Sequence, residues 1–589
     1  MLKYLNYSTI SLSLLSATIL IVYIVLGWAC FHGIDITDES FYVVGYQQSA
    51  RSAVFLSFYF EVYKALFGWL ELNLAGMRLI RLLFTALSSL FLAFSFIKVR
   101  SSPTGAILNS ERWFILLLVL VGGAVTYSWG PTAISYNSFT MIFLNILVGI
   151  TLLKTNKTGI MGQLILDVLF GVFIMLLLFV KFSSAFLFMA SYLVYLGCNK
   201  KLWPVTRHHN RTVLTILLGC VLVIFIVFNT YVDFADQIAR LYESMENKSG
   251  VSWSSSTLLG AYLKNLGNLL NAIWMPCLLI SLMYVISFIW REAAKISFAV
   301  SLAVIPIYIY LMEWWIGGTP NKYQHFEFYA VVLVFCVCWS NFFLVKRKNI
   351  ILTFFLFSMP FVGALGSTNG LSAQFMFFMP FFMLLIANSV VEFRLKSTKI
   401  VLLVIIVLLG SSQAIVGTTL YPYRDKETLF DKKNKIENGG GFSGQYIGGN
   451  MISLYENLKE FEDVDLQYLF TYRHQTGLSL LLNKNFFSPD WFNENFYYRI
   501  CSIIEKRTEL HGKQILFILQ KEVPYQNEVN TCLNKVGIKF PSDYEVVKEV
   551  EYFHYSLHEN ITLQVYLPKT YIEEHNWKKA VLENDFMEK

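Results

Sequence analysis

The chain has 589 residues, 55% of them hydrophobic and only 15% charged. Soluble domains carry about a quarter charged residues, so this composition excludes a soluble globular protein and describes an integral membrane one. The net charge of +7 gives no reason to expect nucleic acid, because the cations cluster in short loops between apolar runs, as they do in membrane proteins.

A hydrocarbon core takes about 20 apolar residues per helix. By run length about thirteen spans are expected, over residues 8–31, 76–97, 113–129, 137–153, 160–180, 182–198, 212–232, 268–290, 296–316, 326–345, 350–366, 375–391 and 400–418. The first run has no small-residue cleavage site behind it and reads as an uncleaved helix. Directly after it comes "HGIDITDESFY", with Asp38 and Glu39 adjacent where the helix ends. Acids at a helix end are commonly just solvated. The loop that follows, "SARSAVFLSFYFEVYKALFGWLELNLAGMRLIRLLF", is neither a span nor an ordinary loop. It mixes apolar stripes with Arg51, Glu61, Lys64, Glu71, Arg78 and Arg81, the pattern of amphipathic helices lying in the interface. Arg78 and Arg81 share one face at the start of the second span, where they either grip a phosphate or snorkel toward headgroups.

Further along, the loops alternate in charge. "KVRSSPTGAILNSER", "KTNKTG", "NKKLWPVTRHHNR", "REAAK", "KRKN" and "EFRLKSTK" are basic, whereas "GPTAISYN", "GGTPNKYQH" and "STNGLSAQ" are nearly free of Lys and Arg. Excess positive charge marks the cytoplasmic side. The N-terminus is therefore expected in the cytoplasm, and the loop 32–75, the stretch 233–267 and everything from about residue 421 outside. Lys181 lies where two apolar runs abut, a costly place for charge and often a functional one. It suits phosphate or substrate contact better than a snorkelled hairpin lysine. Tyr136 and Asn137 sit in a short outer loop and suit sugar hydroxyls, or simply make a turn with an interfacial tyrosine. Glu313 lies inside a span, Trp314 and Trp315 read as belt residues, and Lys322, Tyr323 and His325 follow outside. Asn369 and Gln374 offer amides to hydroxyls.

The last stretch, 421–589, changes composition. Turn-rich "ENGGGFSGQYIGGN", helix-like "NMISLYENLKEF" and β-like "LQYLFTY", "QILFILQ" and "ITLQVYLP" predict an extracytoplasmic α/β domain. The cysteines show no metal-ligand spacing: Cys336 and Cys338 read as small buried hydrophobes, and Cys501 and Cys532 can pair if this part lies outside the cytosol. The fold class expected is thus an α-helical polytopic membrane protein, 1–420, with that domain behind it. No internal repeat is evident.

The apolar helix, the "DE-x-x-Y" of Asp38, Glu39 and Tyr42, and an interfacial loop closing with "LFG…MRLIRLL" resemble the GT-C glycosyltransferases, in particular the protein O-mannosyltransferase and lipid A aminoarabinose transferase group. The span count and the outer C-terminal domain extend the likeness. The resemblance implies transfer of a monosaccharide from a polyprenyl (undecaprenyl) phosphate to an extracytoplasmic glycan, lipid or protein acceptor at a bacterial inner membrane. It implies no metal and no cofactor, and an acid-pair base, Asp38 or Glu39. A surface glycan such as O-antigen, or its lipid-linked precursor, is the acceptor expected. Relatives carry a proline-containing element with a phosphate-binding Lys in the first loop. Here "RSAVFLSFYFEVYK" has no proline, which leaves Arg51 or Lys64 as substitutes beside Arg78, Arg81 and Lys181. The absence of a Rossmann fingerprint agrees with a lipid-borne donor. Rival readings are a lipid-linked glycan polymerase or ligase, which would rely on Arg and His in a late outer loop, and a lipid-sugar flippase, which would show repeats and broken helices.

Overall fold

The structure, a computed structural model, describes residues 7–47, 57–100, 109–154, 159–198, 209–228, 255–290, 350–366, 371–392, 396–487 and 511–577, with breaks of one to four residues in the last two stretches and isolated residues elsewhere. Helices α1 (Tyr7–Ala29), α2 (Asp38–Gln47), α3 (Tyr59–Phe67), α4 (Leu74–Arg100), α5 (Asn109–Tyr127), α6 (Tyr136–Lys154), α7 (Ile160–Val180), α8 (Phe182–Cys198) and α9 (His209–Phe228) follow one another. Beyond them lie Ser255–Ile289, Ile350–Ala364, Leu371–Phe375, Met379–Glu392 and Lys396–Thr419.

Among the described residues seven helices are long and apolar enough to cross a membrane, and four shorter apolar helices accompany them. The protein is therefore a multi-pass membrane protein. Of the expected spans, those at 296–316 and 326–345 fall outside the described residues. Most other boundaries agree with the apolar runs within a few residues. The exception is the expected outer stretch 233–267, whose last part, from Ser255, belongs to the 35-residue helix Ser255–Ile289. Lys264, Asn265 and Asn268 interrupt its apolar run, so run length alone places the start too late.

Helices α5 and α6 are the most enclosed, and α1 and α9 the least. The outward faces of α9 carry exposed Leu214, Leu218 and Phe225, as a lipid-facing surface should. Glycine lets α7 and α9 meet backbone to backbone. A Cβ on Gly171 would stand 2.0 Å from the Ile216 carbonyl oxygen, and one on Gly219 2.3 Å from that of Val168, the small-residue packing of membrane helices.

In the segment between α1 and α4, where interfacial helices are expected, one face of α3 packs inward: Tyr59, Phe60, Val62, Tyr63 and Phe67 are buried, while Lys64, Trp69 and Leu70 are exposed. The Phe58 amide donates to the Phe179 carbonyl at the end of α7 (2.7 Å), and its ring meets Phe179 and Phe228 edge-on. Four of the five buried α3 side chains are aromatic and supply large apolar surfaces to this packing.

After Thr419 the chain forms the expected α/β region. A two-stranded pair, β1 (Asn434–Lys435) and β2 (Tyr446–Ile447), precedes a five-stranded sheet of order β4-β3-β5-β7-β6. Its strands are β3 (Tyr468–Thr471), β4 (Asn485–Phe486), β5 (Leu516–Gln520), β6 (Tyr544–His554) and β7 (Glu559–Pro568). β3 pairs in parallel with β4 and β5, while β7 lies antiparallel between β5 and β6. Phe470, Phe517, Phe540 and Tyr566 fill the core beside it.

This region is built onto the loop behind α1. Gly33 N–H donates to the Tyr446 carbonyl and Tyr446 N–H to the Phe31 carbonyl, each at 2.8 Å. Gly477 N–H donates to the Ile36 carbonyl (2.8 Å). There a Cβ would stand 2.5 Å from both Ile36 Cα and Ser40 Oγ, so only glycine permits the approach.

Candidate active site

The opening acids form the first turn of α2, whose residues Asp38–Tyr46 are all buried. Asp35 caps that turn: Oδ1 accepts from Thr37 N–H (2.9 Å) and Oδ2 from Glu39 N–H (3.0 Å). Two acids at a helix N-terminus also gain from its dipole. Successive helical residues point about 100° apart, and the two carboxylates accordingly meet different partners.

Glu39 faces inward. Arg78 from α4 grips it with Nε (3.0 Å to Oε1) and Nη2 (to Oε2), and Thr132 Oγ1 (2.7 Å) and Ala133 N–H (2.6 Å) also donate to it. Burial pushes its carboxyl up, but the Arg78 guanidinium and these donors prevail and hold it below the ordinary range.

Asp38 faces the chain that leaves the last span. Tyr423 Oη donates to its Oδ2 (2.6 Å), and Arg424 Nη1 stands 2.9 Å from its Oδ1 while donating to Thr37 Oγ1. Oδ1 is buried and, beyond the Arg424 ion pair, meets no donor among the described residues. It thus keeps a lone pair beside its counter-charge. Burial raises the Asp38 carboxyl most, Arg424 opposes it, and Asp35 adds to the rise, leaving it pushed up to about 6.

Tyrosines lead away from this carboxylate. Tyr42 lies one helical turn on, Tyr59 packs 5.9 Å from it, and Tyr136 packs 6.0 Å from Tyr59. Burial, then Tyr136 and Asp38, raise the Tyr42 phenol. The Lys181 ammonium stands 5.8 Å over the Tyr136 ring, where it donates to the Gly363 carbonyl (2.6 Å). Lys181 is 5% exposed, and among the described residues no carboxylate pairs with it. A buried ammonium in that position suits an anion.

The other expected site residues divide. Arg78 donates to the Cys30, His32 and Gly33 carbonyls and to Gln445 besides Glu39. Arg81 donates to the Thr126 (3.2 Å), Trp129 (3.1 Å) and Pro131 (2.5 Å) carbonyls at the end of α5, with its guanidinium 5.1 Å over Tyr127. Both arginines are buried and held by these bonds, with Arg81 Nε left without a partner. Lys64 is exposed on α3. Asn137 Oδ1 and both amide atoms of Gln374 are buried without partners, a state that a ligand's hydroxyls would relieve. Arg51, Glu313, Lys322, Tyr323, His325, Asn369 and Cys501 lie outside the described residues. Cys532 is disulfide-bonded. Among the described residues no group of His, Cys, Asp and Glu is arranged to hold a metal.

Tyr423 and Arg424 are the residues that sequence reading missed. A signal existed: "YPYRDKETLFDKKNK" gathers cations on the side expected to be outside, whose other short loops nearly lack them.

No family model and no curated protein matches the chain. Two solved structures are similar over nearly its whole length. ArnT from Cupriavidus metallidurans in the apo state aligns at 10% identity and a TM-score of 0.41, covering 95% of this chain and 98% of that one. ArnT from the same organism bound to undecaprenyl phosphate aligns at 10% identity and a TM-score of 0.39, covering 94% and 97%. These are loose likenesses between remote sequences.

Proposed function

We propose that the protein is a GT-C type membrane glycosyltransferase. It moves a monosaccharide from a polyprenyl phosphate to an acceptor hydroxyl on the outer face of a bacterial inner membrane, in keeping with the first-loop motif. The observation that carries this reading is Asp38: a buried carboxylate at the outer end of the first span, oriented by Tyr423 at Oδ2 and by the Arg424 ion pair at Oδ1.

The chemistry is a single displacement. Oδ1 of Asp38 takes the acceptor's hydroxyl proton as the acceptor oxygen bonds to the anomeric carbon. The bond from that carbon to the phosphate oxygen breaks on the opposite side, inverting the centre, and the electron pair leaves on the polyprenyl phosphate. Lys181 meets that negative charge. Asn137 and Gln374 hold sugar hydroxyls. Glu39 does not touch substrate; paired with Arg78, it anchors the first turn of α2. The acceptor is a surface glycan, O-antigen or its lipid-linked precursor.

The test offers radiolabelled polyprenyl-phosphate sugars to membranes containing the protein and follows label into acceptor material. Asp38→Asn, shown to insert normally, is expected to lower transfer by about a hundredfold or more. Transfer at the wild-type rate in that variant would overturn the reading and turn attention to a flippase.

A further inference from the structure

The segment after the last span is fixed over α2 by more than its contacts to Asp38. Asp425 pairs with Lys432 in a buried ion pair. Glu427 accepts from Asn450 N–H (3.1 Å), and Gln445 bonds to Arg78 and to the Cys30 carbonyl. The Arg424 guanidinium lies 5.1 Å over the Tyr423 ring. Both side chains therefore reach Asp38 from a built turn, Pro422–Asp425.

Charge around α2 does not balance evenly. Three buried carboxylates, Asp35, Asp38 and Glu39, stand within five residues. Glu39 has Arg78 to itself. Asp35 and Asp38 both feel Arg424 as their largest opposing charge. The other groups around Asp38 are Glu39 and Tyr42 on its own helix and Tyr423 on the segment, with Tyr136 of α6 beyond Tyr42 and the Asp425–Lys432 pair neutral alongside. Nothing else in this set supplies positive charge to Asp35 and Asp38.

We infer that Tyr423 and Arg424 are positioning residues, which fix the Asp38 carboxylate, Tyr423 at Oδ2 and Arg424 at Oδ1, and compensate its charge so that the remaining lone pair of Oδ1 is presented to the acceptor. The base is thus completed by the outer domain and not by the membrane helices alone. This inference rests on Asp38 being the base.

Dicyclohexylcarbodiimide adds to protonated carboxyls in apolar surroundings, and its adduct on Asp38 is read by peptide mass spectrometry. In the full-length protein in detergent, labelling is expected to fall as pH rises through about 6. Arg424→Gln removes an opposing charge, so the labelling midpoint moves up by about one unit or more. Tyr423→Phe removes one hydrogen bond and moves it up by less. Arg424→Lys keeps the charge and restores much of the midpoint. Should Arg424→Gln not yield folded protein, Tyr423→Phe, which keeps ring and charge, carries the test alone. Unchanged midpoints in folded variants would overturn the inference and leave the two residues as mere attachments of the domain. That failure is distinct from failure of the transferase reading, which shows as normal transfer in Asp38→Asn.

Discussion

Burial pushes Asp38 and Glu39 alike toward the protonated form, and their partners separate them. Glu39 has a bidentate arginine and two further donors, and it stays ionised far below neutrality. Asp38 has one phenol and a shared arginine, and it titrates near 6. On the proposed function the ionised form is the base, so kcat/KM for transfer is expected to fall as pH drops below about 6, with the limb moving to higher pH in Arg424→Gln. Glu39→Gln should act differently. It leaves the Arg78 guanidinium buried without its counter-charge, which costs about 3–5 kcal/mol. Thermal unfolding in detergent should show the loss, whereas Asp38→Asn should melt close to wild type. The acid pair and its position were legible in the sequence, because charge just behind a span is conspicuous. Which acid does what was not, because the choice depends on Arg78 and Arg424, which are 39 and 387 residues away from Glu39 and Thr37.

Apolar run length sufficed to find most helices, since a span must satisfy its backbone internally over a fixed thickness. It failed where polar residues enter a helix, as at Ser255–Ile289. Strand β6 was missed because "YEVVKEVEYFH" alternates with charged residues and has no apolar run, although β7 pairs along its whole length. Packing between elements is invisible to such patterns. The α7–α9 contact depends on Gly171 and Gly219, and Gly219→Leu would force a side chain into the Val168 carbonyl. The expected cost is about 1–3 kcal/mol, seen as a lower melting temperature, with the pH limb of any surviving activity unmoved.

Seen entire, the protein joins apolar helices to an α/β region through backbone hydrogen bonds at Gly33, Ile36 and Tyr446. The basic loops predict which side that region occupies. In intact spheroplasts a membrane-impermeant maleimide should modify Cys532 only after reduction, since it is disulfide-bonded. Cys198, exposed at the far end of α8, should react only after permeabilisation. Labelling of Cys198 from outside would invert the assigned topology.

The bond from Tyr423 to Asp38 spans 385 positions of the chain, and this has a consequence for synthesis. In the topology that the basic loops predict, a ribosome delivers Asp38 to the outer side early and Arg424 only after the last span has been inserted. Through that interval Asp35 and Asp38 stand without their shared cation, while Glu39 already has Arg78. On the proposed function, a chain that stalls before its final helix holds Asp38 largely protonated, and premature release leaves only a weakened fragment to draw on lipid-linked sugar.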